Sequence, residues 1–214
     1  MFLSDSSIRE RLVSGENLEP KDVIKLLEKG HIVLSPFPSA KELDARLGQC
    51  SLDLQLGTKI RESTNPRSVI THRNGETSLV HQTVDFRKPE TLDQADNTDG
   101  FYNLEEDGEF ILEPKGLVRA VTLEFIGLPA DLVGFVHSRS RCGRYGISSS
   151  YDAPKIDPGF VGQIVLEISN MGLRRFSLHP GLFICQIIFA KLDKPTATPY
   201  YARKQQSWRW QTEP

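Results

Sequence analysis

Three observations predict a mainly β fold for this chain, with short helices ahead of a closed or sandwiched sheet. Short apolar segments recur between Gly, Pro and Asp turns from residue 51 to residue 190. One of them, SLDLQLG at 51–57, alternates cleanly: Leu52, Leu54 and Leu56 point one way, Asp53 and Gln55 the other. No Gly-rich loop joins a strand to a helix, so a dinucleotide fold or Walker site has no support. Many short strands with few helices favour a closed sheet over a doubly wound one.

The helices come first. Ser4 or Asp5 can cap a helix whose apolar positions are Ile8, Leu12 and Val13. A second helix starts at Pro20, buries Val23, Ile24, Leu26 and Leu27, and stops at Gly30. Residues 1–30 therefore form a helical N-terminal segment. Beyond it the period changes to that of strands, predicted at 51–56, 117–126, 132–137, 163–169 and 182–190. From 62 to 107 the chain is polar, with NPRS, RNGE and DNTDG, which predicts hairpins and a mobile loop. The tail at 199–214 is basic and aromatic and has no core-strand pattern. No repeat or linker divides the 214 residues, so 1–214 is read as one domain.

Charge and cysteine content narrow the function. Twenty-six basic against 28 acidic residues leave a net charge of -2, which argues against nucleic acid but allows a small anionic ligand held by a few arginines. No 18-residue apolar run exists, so no membrane span is expected. The start, MFLSDSSIRERL, lacks a signal peptide's apolar core, and a cytoplasmic protein is expected. Cys50, Cys142 and Cys185 are too scattered for a disulfide framework or a thiolate zinc cluster, and the five histidines lack metal-ligand spacing. No metal ligand is assigned.

The chemistry concentrates between residues 137 and 168. Ser140 and Arg144 share one side of a helical turn, and Arg139, Arg141 and Arg144 gather positive charge beside a hydroxyl. That is a seat for an oxyanion or phosphate, though a solvated basic turn has the same composition. Asp157 in KIDPGF is set by a Pro-Gly bend beside Phe160, an arrangement suited to a sugar; an Asp there can equally cap its own turn. Glu167 interrupts the run IVLEI, on the face of Val165 and Ser169 and opposite Leu166 and Ile168. An apolar setting raises a carboxylate's pKa and suits proton shuttling near neutral pH, while a Glu on the wet face of a half-buried strand is the plain alternative. The H-x-E and P-C-x-x-C elements of zinc deaminases are missing, so hydrolysis is expected to use a carboxylate-positioned water.

Together, RSxxxR at 139–144, IDPGF-x-G-x-IVLE at 156–167 and SLDLQLG at 51–57 resemble the dCTP deaminases of the trimeric dUTPase superfamily. LPADLVGFV and LHPGLFICQIIF look like framework strands of the same proteins. The resemblance implies a distorted β-barrel or jelly roll of the dUTPase-like type, assembled as a homotrimer with sites between subunits. It gives Glu167, Ser140 and Arg144 the catalytic roles, with Glu167 as general base for attack on C4 of cytosine. It assigns Arg139 to phosphate, Asp157 to the sugar 3'-hydroxyl and Phe160 to the deoxyribose. Main-chain groups of Ser149, Ser150, Tyr151, Asp152 and Ala153 would read the pyrimidine. Tyr200, Lys204 and Gln211 fall at triphosphate contacts in a tail expected to close over the site, and Mg2+ would bind through the triphosphate.

The chain departs from the family pattern at Arg141, Cys142, Ser207 and the QQSWRWQTEP end, and 16–27 looks like an inserted helix. Lys155 resembles the basic residue of members that release dUTP. The expected reaction is deamination of dCTP to dUTP and ammonia. The alternatives are a bifunctional enzyme giving dUMP and pyrophosphate, or a nucleotide-binding protein without turnover.

Overall fold

The computed structural model describes residues 1–62, 67–71, 77–81, 87–88, 99–105, 108–203, 210 and 212–214, with backbone alone for 67–71 and 77–81. Helix α1 (Asp5–Arg11) is capped by the Ser4 hydroxyl, which accepts from the Ser7 N–H. Leu12 and Val13, expected in this helix, instead lie in strand β1 (Leu12–Ser14). β1 pairs in parallel with β2 (Ile32–Ser35). Between them, α2 (Pro20–Glu28) buries Val23 and Leu27 and leaves Ile24 and Leu26 half-buried. Helix α3 (Ala40–Arg46) has no counterpart among the predicted elements. Its signal is a capping box, in which the Ser39 hydroxyl accepts from Glu42 N–H and the Glu42 carboxylate accepts from Ser39 N–H.

The remaining strands are β3 (Ser51–Glu62), β4 (Arg67–Thr71), β5 (Thr77–His81), β6 (Gly100–Asn103), β7 (Phe110–Leu112), β8 (Leu117–Gly127) and β9 (Leu132–Ser138). After helix α4 (Ser140–Arg144) come β10 (Ile147–Ser148), β11 (Lys155–Ile156), β12 (Val161–Asn170), β13 (Phe176–Leu178) and β14 (Phe183–Lys191). Ten strands form one branched sheet in the order β1-β2-β8-β3-β14-β9-β11, with β12 on β8, β10 on β12 and β6 on β3. Leu54, Ile126, Val136, Ile168 and Phe189, from five different strands, meet in one core, so the sheet folds onto itself. Each buried aliphatic side chain stabilises by about 1.5–3 kcal/mol. The mainly β architecture with short N-terminal helices is therefore the observed one. Among the described residues, no helix is long and apolar enough to cross a membrane.

The branch lies on β8. One of its edges pairs with β12, while the other pairs with β3 at residues 118–122 and with β2 at 125–127. Gly57 permits the crossing, because a Cβ there would stand 2.9 Å from the Val121 carbonyl oxygen. Between the two partners sits Glu124, with no solvent exposure. Its carboxylate accepts from Arg46 Nη1 at 2.7 Å and from the Gln55 N–H at 2.9 Å, replacing the ladder bond that β3 gives up. Burial pushes the Glu124 carboxyl above its ordinary range, against the Gln55 N–H and Arg46, which favour the ionised form.

Removing one member of a buried ion pair costs more than removing the charge from both. Arg46→Met should lower stability in urea by about 3–5 kcal/mol. The double variant Arg46→Met/Glu124→Gln keeps an acceptor for Gln55 N–H and should be more stable than Arg46→Met alone. The comparison is read from the two denaturation midpoints.

Candidate active site

The Asp-Pro-Gly bend becomes a rigid corner. Phe160 N–H donates to the Asp157 carbonyl at 3.0 Å, and Gly159 takes φ +82°. Tyr200 N–H donates to the Pro158 carbonyl and Tyr201 N–H to that of Gly159. A Cβ at Gly159 would stand 2.6 Å from the Tyr200 nitrogen, so only glycine fits. The corner thus fastens the start of the tail, and the Phe160 and Tyr200 rings lie 6.0 Å apart.

A cavity of about 410 Å³ opens beside this corner. Asp157, Phe160, Glu167, Ala153 and Tyr200 all line it, which brings five of the sequence-assigned residues together. Lys155 and Arg119 line it too, and Arg119 carried no sequence assignment. Asp157 is ion-paired to Lys155 at 2.7 Å. Glu167 is half-buried on the outward face of β12, the face it shares with cavity-lining Val165. The strand does not isolate it: Arg119 is its cross-strand partner on β8, and the Asp152 N–H donates to its Oε2 at 3.2 Å.

The loop expected to read a base is partly committed internally. Ser149 is fully buried, with its N–H donating to Ser138 Oγ at 2.8 Å. Ser150 bridges to Glu167, and its buried hydroxyl has no partner among the described residues. Tyr151 and Asp152 are exposed.

The arginine turn forms helix α4, with Ser140 and Arg144 exposed at its two ends. Neither residue, nor Arg139, lines the cavity. Arg139 pairs with Asp53 at 2.9 Å and lies over the Phe183 ring at 5.4 Å. Burial pushes the Asp53 carboxyl up, opposed by Arg139 and Arg46. Burial also raises the thiol pKa of Cys142 and Cys185, which keeps both protonated rather than nucleophilic.

Lys204 and Gln211, with Ser207 and Trp208, lie outside the described residues. Trp210 stacks on Phe125, centroids 5.6 Å apart at 18°, and its N–H donates to the Val161 carbonyl. Farther on, the Thr212 carbonyl accepts from Lys59 and that of Pro214 from Arg61; Pro214 reaches the cavity. Among the described residues, no group of three or more His, Cys, Asp or Glu is placed to hold a metal ion.

A family model described as dCTP deaminase-like matches residues 17–192. A Methanosphaera stadtmanae protein named "dCTP deaminase, dUMP-forming" is 36% identical over 188 residues, covering 86% of this chain and 83% of its own. A Dictyoglomus thermophilum protein of the same name is 35% identical over 188 residues, covering 87% and 86%. The solved 2'-deoxycytidine 5'-triphosphate deaminase from Agrobacterium tumefaciens shares the fold, with TM-score 0.54, 19% identity and 89% of this chain covered. This chain spans 48% of that longer one.

Aromatic pairs contribute about 0.5–1.5 kcal/mol beyond burial. Trp210→Ala should therefore loosen the tail and speed tryptic cleavage at Arg203 by about 2- to 10-fold, measured by mass spectrometry of timed digests.

Proposed function

The chain belongs to the dCTP deaminase-like family, and on that premise we propose that it hydrolyses dCTP at two places, leaving dUMP, ammonia and pyrophosphate. The expectation that the reaction stops at dUTP is overturned by the dUMP-forming relatives at 36% and 35% identity. Lys155 misleads because it is an exposed side chain ion-paired to Asp157. Its charge holds a carboxylate and says nothing about whether a second water is used.

One observation carries the proposal: Glu167 and Asp157 open into the same cavity. In the first reaction Glu167 takes a proton from water as the oxygen adds to C4 of cytosine. It returns that proton to the amino group, which leaves as ammonia, while the proton of the new C4 hydroxyl passes to ring N3 and the C4 carbonyl forms. In the second, Asp157 orients and deprotonates a water that attacks the α-phosphorus, and the α–β phosphoanhydride bond breaks to release pyrophosphate. Two waters are consumed for one dCTP. Phe160 and Tyr200 pack against the deoxyribose, and Ala153 offers main-chain atoms to the pyrimidine. Mg2+ is part of the substrate, carried on the triphosphate.

The separation of α4 from the cavity supports a homotrimer in which Ser140, Arg144 and Arg139 serve a neighbouring copy's site. Tyr200 and Pro214 in the cavity wall support a tail at 199–214 that closes over it, as part of a single domain. A cytoplasmic location belongs to the same proposal.

Incubation with dCTP and Mg2+, resolved by ion exchange, should give dUMP, pyrophosphate and ammonia in equal amounts. Accumulation of dUTP as the end product would sink the bifunctional reading. Glu167→Gln should bind dCTP yet release ammonia about 10²- to 10⁴-fold more slowly, while still splitting added dUTP. Mixing Glu167→Gln with Arg144→Ala chains after co-refolding should restore part of the deamination that neither has alone. No recovery in confirmed mixed oligomers would mean that each site is built from one chain.

A further inference from the structure

We propose that Arg119, anchored by Asp99, is the positioning residue that sets the Glu167 carboxylate for deamination, an inference that rests on the two-reaction reading above. Arg119 sits at the centre of a row crossing three strands: Arg61 on β3, Arg119 on β8, Glu167 on β12. Direct cross-strand partners share a face and stand about 4.5–5.5 Å apart at Cβ. Both Arg119 and Glu167 line the cavity, so the row opens where the chemistry is proposed.

Two arginines side by side in a sheet repel, and the arrangement holds only with compensation. Arg61 has other contacts, donating from Nε to the Pro214 carbonyl at 3.3 Å and lying 5.4 Å over the Phe101 ring. Arg119 donates from Nη2 to Asp99 Oδ2 at 2.8 Å, and the Asp99 side chain is only 8% exposed. A planar guanidinium bonded at one nitrogen to a buried carboxylate has a defined orientation. On the other side, the Asp152 N–H donates to Glu167 Oε2. Glu167 thus has a main-chain donor on one side and, as its cross-strand neighbour on the other, a cation paired to Asp99.

That setting matters for deamination more than for pyrophosphate release. The base must face first the attacking water and then the departing amine, and about 1 Å of misplacement costs on the order of 10²-fold in rate. Asp157 stands off this row, on the Asp-Pro-Gly corner with Lys155 as its own cation.

The test compares wild type, Arg119→Leu, Arg119→Lys and Asp99→Asn, supplied separately with dCTP and with dUTP. Arg119→Leu should lower kcat for ammonia release about 10- to 100-fold, with KM for dCTP changed less than about threefold. Cleavage of supplied dUTP should stay near the wild-type rate. Arg119→Lys keeps the charge and should recover part of the loss. Unchanged ammonia release in Arg119→Leu overturns the proposal, as does a parallel fall in both activities, which marks a purely structural role. Should Arg119→Leu not fold, Asp99→Asn carries the same selective expectation. If wild type leaves dUTP intact, the two-reaction reading fails by itself. The kcat and KM split on dCTP, with rescue by Lys, then still decides the role of Arg119.

Discussion

A carboxylate with no access to solvent sits where one strand must serve two neighbours. β8 gives one long edge to β12 and divides the other between β3 and β2. At the division a backbone donor would be orphaned, and an unpaired buried N–H costs about as much as a lost hydrogen bond. Glu124 accepts from Gln55 N–H and so closes the gap, and Arg46 answers its charge. Nearby, Thr122 Oγ1 donates to the Glu124 carbonyl and accepts from the Ile164 N–H at the bulge of β12. Side chains thus do the work of the ladder on both edges of β8.

From this point the fold reaches both groups of proposed site residues. On one side the Phe183 ring lies beneath the guanidinium of Arg46 at 5.2 Å and that of Arg139 at 5.4 Å. Asp53 takes the other contact of Arg139. The short helix α4, with exposed Ser140 and Arg144, is therefore held by the same cluster that stabilises the branch. On the other side, β12 carries Glu167 into the cavity and its first residue follows the Asp-Pro-Gly corner. Among the described residues, Ser140, Arg144 and Arg139 are not in the wall of the cavity that Glu167 lines.

The five predicted strands, β3, β8, β9, β12 and β14, were legible because their pattern is local. Alternation in SLDLQLG survives intact, with Leu52, Leu54 and Leu56 at zero exposure and Asp53 and Gln55 only half-buried. Helix α3 was also legible in principle, since Ser39 and Glu42 have capping-box spacing, but a seven-residue helix shows too few turns for periodicity to reveal it. Leu12 and Val13 fit a helical face as well as a strand, and pairing with β2 decided between them.

Residue order alone specifies the strand-rich class, the Asp-Pro-Gly corner, the face on which Glu167 stands and the residue set that marks the family. Each depends on neighbours within a few positions, where backbone geometry is dictated by residue type. Folding in three dimensions is what sets Arg119 beside Glu167, pairs Arg46 with Glu124, rests Trp210 on Phe125 and leaves the arginine helix out of the cavity wall. Arg119 and Glu167 are 48 residues apart in the chain, and Arg46 and Glu124 are 78 apart. Strand register and burial bring such charges together, and neither is encoded in any short stretch of the chain.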